Sequence, residues 1–424
     1  MKRGKAIFIG VLMMGWLGAL PAMAIEVHGF GEAVVGFKLS DDQTKGDTVN
    51  LLEQRWQLKT TYFFEGNGYL PEKGAFVDVK GDAWVDGYFS GKTGYDLREL
   101  SFSISPLDVL DVKIGRQILT WGTGDYLFIN DQFPKDYVSF FSGRDDEYLK
   151  KPSDALKLSL YPSWGNVDFI MAVFTPNSQP KGDRLSFFDM FQGGIAGLSS
   201  DRDLREPALR LSNNEYYLRY YRNIGRYEGA LYYFRGFDKN PTSVWDESAR
   251  QMFYRRLDVY GASLRGPVAG GIGSVEMGYS YSRQDPQGRN RLIENSMLKV
   301  LAGYSKDLGN DWSVGVQYEY DQRLDYRRYT ENLLPGDFVF DEFRHLVTQS
   351  VTKLLRNQTV RLALFNYYSP SDKDGYARVS CAYDVTDQWK LTVGANLPWG
   401  EDDTTEFGQM KRNKNVYTRV RYSF

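Results

Sequence analysis

Enzymatic chemistry has few places to sit in this chain. Its two histidines are His28 and His345, and its one cysteine is Cys381. A Ser–His phospholipase needs both side chains together on one wall. An omptin-type protease needs a histidine beside acids at an exposed mouth. His345 with Asp341 and Glu342 is the only formal match, and it reads more simply as an exposed loop histidine. No Cys-x-x-Cys-His haem motif and no Cys/His metal cluster occurs. The acidic runs Asp145-Asp146-Glu147 and Glu401-Asp402-Asp403 offer the oxygen ligands that calcium takes. Such runs are more often solvated surface or contacts to the cations of lipopolysaccharide. The expectation is a protein that is not an enzyme and carries no cofactor and no metal.

What recurs instead is charge at every second position. Arg55, Gln57 and Lys59 alternate with Trp56 and Leu58; Asp78, Lys80 and Asp82 alternate with Val77, Val79 and Ala83. A period of two puts one set on each face of a strand. Along the chain the polar parity collects Arg55, Lys59, Lys80, Lys113, Arg219, Arg361, Arg378, Arg419 and Arg421, with Asp78, Asp82, Glu99, Glu276 and Glu319 among its acids. Such residues suit the wall of a water-filled lumen. Their basic excess would give a mild preference for anions, since clustered positive charge lowers the barrier to anion entry.

The alternating segments that would position these residues number eighteen, with sixteen as the alternative. They fall at about 25–39, 50–64, 75–86, 97–105, 111–119, 155–162, 167–174, 215–222, 228–236, 256–265, 273–282, 296–306, 312–320, 344–354, 358–368, 376–385, 389–397 and 416–424. Connections after even-numbered segments are mostly short; those after odd-numbered ones, such as 120–154 and 175–214, are mostly long. Short periplasmic turns and long extracellular loops are the habit of outer-membrane barrels. The expected fold is an all-β, antiparallel, up-and-down transmembrane β-barrel, closed because hydrocarbon leaves no partner for a free sheet edge. Tyr62, Trp84, Tyr88, Trp164, Trp312, Trp389 and Trp399 are expected as interfacial girdles. Two segments conflict with the pattern. The apolar residues of 341–358 have near-helical spacing, yet a strand pair turning at Arg356-Asn357 keeps the count. Arg116 falls on the lipid parity of Val112, Ile114 and Ile118, which calls for a bulge or a position near the headgroups. The last strand ends on Phe424 with Tyr422 two before it. That resembles the closing strand of Gram-negative outer-membrane barrels, which the barrel-assembly machinery reads.

The rest of the composition agrees. Aromatic residues make up 15% of the 424 residues, glycines number 42, and mean hydropathy is −0.46. A barrel shows lipid only one face of each strand, so its average stays polar. Residues 1–24 read as a secretory signal peptide: Lys2, Arg3 and Lys5, an apolar run from Ala6 to Leu20, Pro21, and Ala22-Met23-Ala24 as the cleavage site. That run is short of the roughly 20 residues a spanning helix needs. Ile25 in place of cysteine speaks against lipid attachment. The mature chain, 25–424, is then one barrel domain of the outer membrane. Without the three signal-peptide lysine and arginine residues its net charge is about −5, no footprint for nucleic acid. A TonB-dependent receptor would need a plug domain ahead of the first strand.

The loop 120–154 carries Trp121, Asp125, Asp131, Lys135, Asp136, Arg144 and Asp145 and is the first candidate for a segment folded inward to constrict a pore. The loop 175–214, with Phe187-Phe188-Asp189-Met190-Phe191, competes with it. The stretch Ile114–Asp125, its continuation through Phe128–Asp136 to Gly143-Arg144-Asp145, Leu97-Arg98-Glu99 before it and Lys151–Lys157 after it together resemble an uncharacterised family of Gram-negative outer-membrane β-barrels. That family is porin-like and similar in layout to alginate-export barrels. The resemblance is strong over about 95–160 and general elsewhere. It implies a porin-like barrel, in a setting beside exporters and periplasmic lipid carriers, and names no substrate. The expected function is a channel for passive diffusion of small hydrophilic solutes, with outer-membrane lipid and lipopolysaccharide around it. The alternatives are an export conduit for polysaccharide or lipid with periplasmic partners, and a barrel sheath for a multihaem cytochrome. The oligomeric state stays open.

Overall fold

The computed structural model describes residues 26–41, 44, 48–64 and 74–424. The signal peptide and its cleavage after Ala24 lie outside the described residues. Eighteen strands form one sheet: β1 Val27–Lys38, β2 Val49–Phe64, β3 Ala75–Asp86, β4 Lys92–Leu107, β5 Leu110–Ile118, β6 Pro152–Leu160, β7 Asn166–Ala172, β8 Glu215–Ile224, β9 Tyr227–Phe237, β10 Arg256–Val268, β11 Gly271–Ser282, β12 Met297–Gly309, β13 Trp312–Arg323, β14 Phe343–Leu355, β15 Val360–Ser369, β16 Asp374–Asp384, β17 Trp389–Gly400 and β18 Asn415–Ser423. Each pairs antiparallel with the next. β18 returns to β1, with Glu32 opposite Arg421 and Val34 opposite Arg419. Gly29 and Phe424 exchange both backbone hydrogen bonds at 3.0 Å, so the seam is paired to its end. Every strand therefore has two neighbours, the condition that a lipid environment imposes.

Burial is inverted relative to a water-soluble protein. On β2, Leu52, Trp56 and Leu58 are 47%, 48% and 55% exposed, while Glu53, Arg55 and Gln57 are 4%, 5% and 6% exposed. The outer wall is thus apolar and the inner wall polar, as the alternation requires. Cys381 sits opposite Leu362 on the outer wall. The turns at one end are short, as at 108–109, 225–226, 269–270 and 310–311. Between β14 and β15, Arg356, Asn357 and Gln358 have φ of 51°, 54° and 69°. Three left-handed residues in a row reverse the chain, so the helically spaced segment is a strand pair. The long connections, 119–151 and 173–214 among them, lie at the other end.

Three local details depart from the alternation. Trp84 shares the inward parity of Asp82 and Asp86, and Tyr88 is buried with its hydroxyl on the Asp183 carbonyl at 2.8 Å. Neither is a girdle residue; Trp164, Trp312, Trp389 and Trp399 are exposed on the outside. The register slips by one between Lys80–Glu99 and Gly81–Leu97, which makes Arg98 the extra residue of a bulge. Arg116 is in register with Leu100 on one side and Asp154 on the other, so no bulge excuses it. It makes two 2.7 Å bonds to the Asp154 carboxylate instead, two residues from the outer end of β5. A paired charge near the headgroups costs little, and a single one about 1 kcal/mol. Arg116→Ala and Asp154→Ala are each expected to destabilise the barrel, and the double variant less than their sum. Urea unfolding in lipid vesicles measures the difference.

Candidate permeation pathway

The segment 119–151 does not cap the barrel from outside; it crosses the lumen. Its first part is shaped by local bonds. Trp121 packs against Phe133, Tyr217 and Tyr232, with ring centroids 5.2, 6.0 and 6.0 Å away. Thr120 donates to Asp131 at 2.8 Å, and the ammonium of Lys135 donates to Asp131 and to the Phe133 carbonyl, both at 2.8 Å. Lys135 is 2% exposed. Burial pulls its pKa down and Asp131 only partly restores it. Asp136 then caps the short helix α1, Tyr137–Ser142, by accepting from the Ser139 N–H at 3.0 Å. Gly143, with φ 95°, ends it in the left-handed conformation.

Its far contacts decide its path. Glu276 on β11 is 1% exposed. Its carboxylate accepts from the Thr123 N–H (2.6 Å) and hydroxyl (2.8 Å), and from the Asn130 N–H (2.9 Å) and side-chain amide (3.1 Å). The Asp125 N–H donates to Gln317 on β13 at 3.0 Å. Here the loop lies on two glycines of the inner wall. A Cβ on Gly261 would stand 1.7 Å from Asn130, and one on Gly278 2.6 Å from Ile129. Further on, Leu127, Ile129, Phe140 and Phe141 pack with Leu301, Leu346, Phe365, Tyr367 and Tyr376, which point inward from β12, β14, β15 and β16. A hydrophobic core therefore exists inside the lumen, opposite the strands from which the loop departs.

The end of the segment is tied electrostatically. Arg144 reaches Glu53 at 2.6 Å. Asp145 accepts from Arg419 at 2.8 Å and lies 3.1 Å from Arg421; both arginines also face Glu32. Arg98, placed inward by its bulge, donates to the carbonyls of Glu147 and Lys150 at 2.9 and 3.0 Å. Burial would raise the Asp145 pKa, but the two arginines outweigh it and hold the carboxyl below its usual range. A depressed carboxylate contributes its stabilisation above the unfolded value of about 3.9 and loses it as pH falls through the folded value. Acidification from pH 5 to 3 is expected to loosen this end of the loop and raise conductance. An Asp145→Asn channel should lack that step and conduct more at pH 7.

The residues singled out by parity and loop position are placed as follows. Arg55 pairs with Glu53 and Asp82, Lys113 with Asp78, Arg219 with Glu228, Arg378 with Asp146, and Glu319 with Lys299. Lys80 lies 3.7 Å from Glu147 and opposite Glu99. Lys59 and Arg361 are exposed, toward the end of the lumen with short turns. The inward cations are thus mostly neutralised in pairs, and the basic excess gives no open positive ring. Arg98 and the two seating glycines were not marked by alternation. Gly261 and Gly278 on the inward parity of adjacent strands were the available sign of a close approach, and the apolar character of β15 on both parities was the sign of the inner core.

The second long connection, 173–214, covers part of the mouth. Arg184 binds Asp86 and the Asn50 carbonyl and lies over the Tyr88 and Phe89 rings; Ser186 donates to Asn413. Between the segment 119–151 and the segments 238–242, 339–344, 371–373 and 401–409 lies a cavity of about 790 Å³. Ten carboxylates and seven cations line it. Each of the seven cations has an acidic neighbour, for example Arg344 with Asp372 and Glu406 at 2.6 and 2.7 Å. Asp341 and Glu342 line it without a salt bridge to any described residue, so carboxylates outnumber cations there. His345, by contrast, is on the outer wall, its Nδ1 2.7 Å from the Tyr318 hydroxyl. It does not share a site with Asp341 and Glu342.

No family model and no curated protein matches the chain. Solved structures do. OccAB3 of Acinetobacter baumannii superposes with a TM-score of 0.57 at 10% identity, over 95% of this chain and 99% of its own. OccAB4 of the same organism gives 0.57 at 10%, over 94% and 98%. OccK11 (OpdR) of Pseudomonas aeruginosa gives 0.53 at 10%, over 94% and 96%. Likeness at this identity is a likeness of fold: the chain is built on the same closed antiparallel barrel as these proteins.

Proposed function

We propose that the protein is an outer-membrane channel for passive diffusion of small hydrophilic solutes, narrowed by the segment 119–151. The observation that carries this reading is the segment's attachment to the inner wall at Glu276, across a lumen whose wall is charged. In this reading the loop, held by hydrogen bonds, ion pairs and apolar packing, narrows the lumen and leaves a passage beside it. The cavity above it gives solutes a vestibule, and the carboxylate surplus there favours cations over anions. This reverses the preference suggested by counting inward lysines and arginines, because most of those are spent in ion pairs. A cytochrome sheath needs a lumen free of loops, and the crossing segment speaks against it.

Planar bilayers test the reading. The purified barrel is expected to give discrete conductance steps, and a salt gradient should give a reversal potential modestly on the cation-selective side. A barrel that never conducts would overturn the function, and anion selectivity would overturn the role given to the vestibule.

A further inference from the structure

Outside the lumen, one patch carries charge where the fold calls for lipid. On the outer faces of β9, β10 and β11, Arg235, Asp258 and Tyr281 stand in one cross-strand row. One row outward, Arg256 lies opposite Phe237, and Arg283 donates its N–H to the Arg256 carbonyl at 3.0 Å. Arg235 and Arg256 are exposed. The Arg283 Nε is 3.8 Å from Asp258. Asp258 is 7% exposed, and its buried Oδ1 accepts no hydrogen bond. Asp258 stands beside Arg235 and Arg283, while Arg256 bonds the neutral Asn213, so one carboxylate serves three arginines and two positive charges are left uncompensated. Arg116, the outward arginine described above, is by contrast neutralised by Asp154.

The height of the patch identifies what it meets. Directly below it runs a row of Leu218, Tyr233, Tyr260 and Tyr279. Tyr233 and Tyr260 are 5.2 Å apart, and Tyr260 stacks on Tyr279 at 6.4 Å. Tyrosines of this kind mark the membrane interface. At about 3.4 Å per residue and a strand tilt of about 40°, Tyr260 is about 20 Å above Val268 at the other end of β10, and Arg256 about 30 Å. The apolar band of such barrels is about 25 Å tall. The arginines therefore stand in the headgroup layer, where lipid phosphates are the concentrated anions. Guanidinium groups bind phosphate oxygens through paired N–H donors.

We propose that Arg235, Arg256 and Arg283 form a binding site for the phosphate of an anionic glycolipid in the outer leaflet, with the tyrosine row against its acyl chains. Arg256 is held for this by stacking over Phe237 at 5.4 Å and by a 3.2 Å bond to Asn213. Asp258 competes with the phosphate and weakens the site. The lumen plays no part in it.

The test uses the purified barrel in detergent, with lipid A as the probe and native mass spectrometry as the readout. The wild-type protein is expected to hold lipid A at least ten-fold more tightly than the variant carrying Arg235→Gln, Arg256→Gln and Arg283→Gln. Enzymatically dephosphorylated lipid A should bind the wild type no better than lipid A binds the variant. Conductance should be equal in both proteins. Equal affinity of the two proteins for lipid A, or indifference to dephosphorylation, would overturn the proposal. So would complete displacement by millimolar inorganic phosphate, since the site would then take the free ion. Should the triple variant fail to fold, Arg235→Gln and Asp258→Asn decide. The first is expected to weaken binding several-fold and the second to tighten it, and the absence of these opposite effects would overturn the site.

Discussion

Glu276→Ala is expected to at least double the single-channel conductance and to make it noisy. The carboxylate receives four hydrogen bonds from Thr123 and Asn130, and hydrogen bonds to charged groups contribute about 1.5–3 kcal/mol each. They are not additive, but half of their sum, about 3–6 kcal/mol, extends to the roughly 5.5 kcal/mol that turns a 99:1 equilibrium into 1:99. Alanine also leaves the backbone N–H groups of Thr123 and Asn130 without an acceptor at the wall. They recover one only if the loop moves toward water. Glu276→Gln should have a smaller effect, because its amide oxygen can still accept while its NH2 group opposes the remaining donors. Bilayer recordings of the three proteins measure this. Unchanged conductance in Glu276→Ala would mean that the loop is held elsewhere, by the Phe140–Tyr376 packing or by the Asp145 arginines.

Gly29→Val is expected to prevent the barrel from forming. A Cβ on Gly29 would stand 2.1 Å from the Gln57 carbonyl oxygen and 2.9 Å from the Phe424 ring. Gln57 is backbone of β2, paired with β1 beside this point, so it cannot move without opening the ladder. The same residue holds the seam, through its two bonds to Phe424. An opened edge in hydrocarbon leaves several backbone groups unpaired, at several kcal/mol each. Gly31→Val is the control: its nearest neighbour is the Trp56 ring at 3.4 Å, a side chain that can turn away. The loss of heat-modifiable migration in detergent gels should separate the two variants. A normally migrating Gly29→Val barrel would mean that the seam tolerates a displaced strand.

The two variants probe different layers of information. Gly29 belongs to the strand pattern, which was legible along the chain. All eighteen strands stand where period-two alternation put them, and their ends differ by a few residues at most. The largest shift, β4 beginning at Lys92 rather than near 97, comes from the polar run Lys92–Asp96, which hides the alternation. Arg98 escaped for a related reason: a bulge inserts one residue and breaks the parity on which the reading rests. Trp84 escaped because a tryptophan near a strand end suits an interface as well as a lumen.

Period two is a local property, written between neighbours two residues apart, and lipid on one side with water on the other leaves little freedom in how it is satisfied. The amino-acid sequence by itself therefore determined a closed eighteen-stranded barrel with long loops at one end. The route of 119–151 was decided only in three dimensions. Its anchors at Glu276, Gln317, Phe365, Tyr376 and Arg419 are about 150 to 275 residues away along the chain, and barrel closure alone brings them to face it. The pairing of the lumen's charges follows from the same geometry. Whether an inward arginine attracts solutes depends on whether a carboxylate from a distant segment reaches it first.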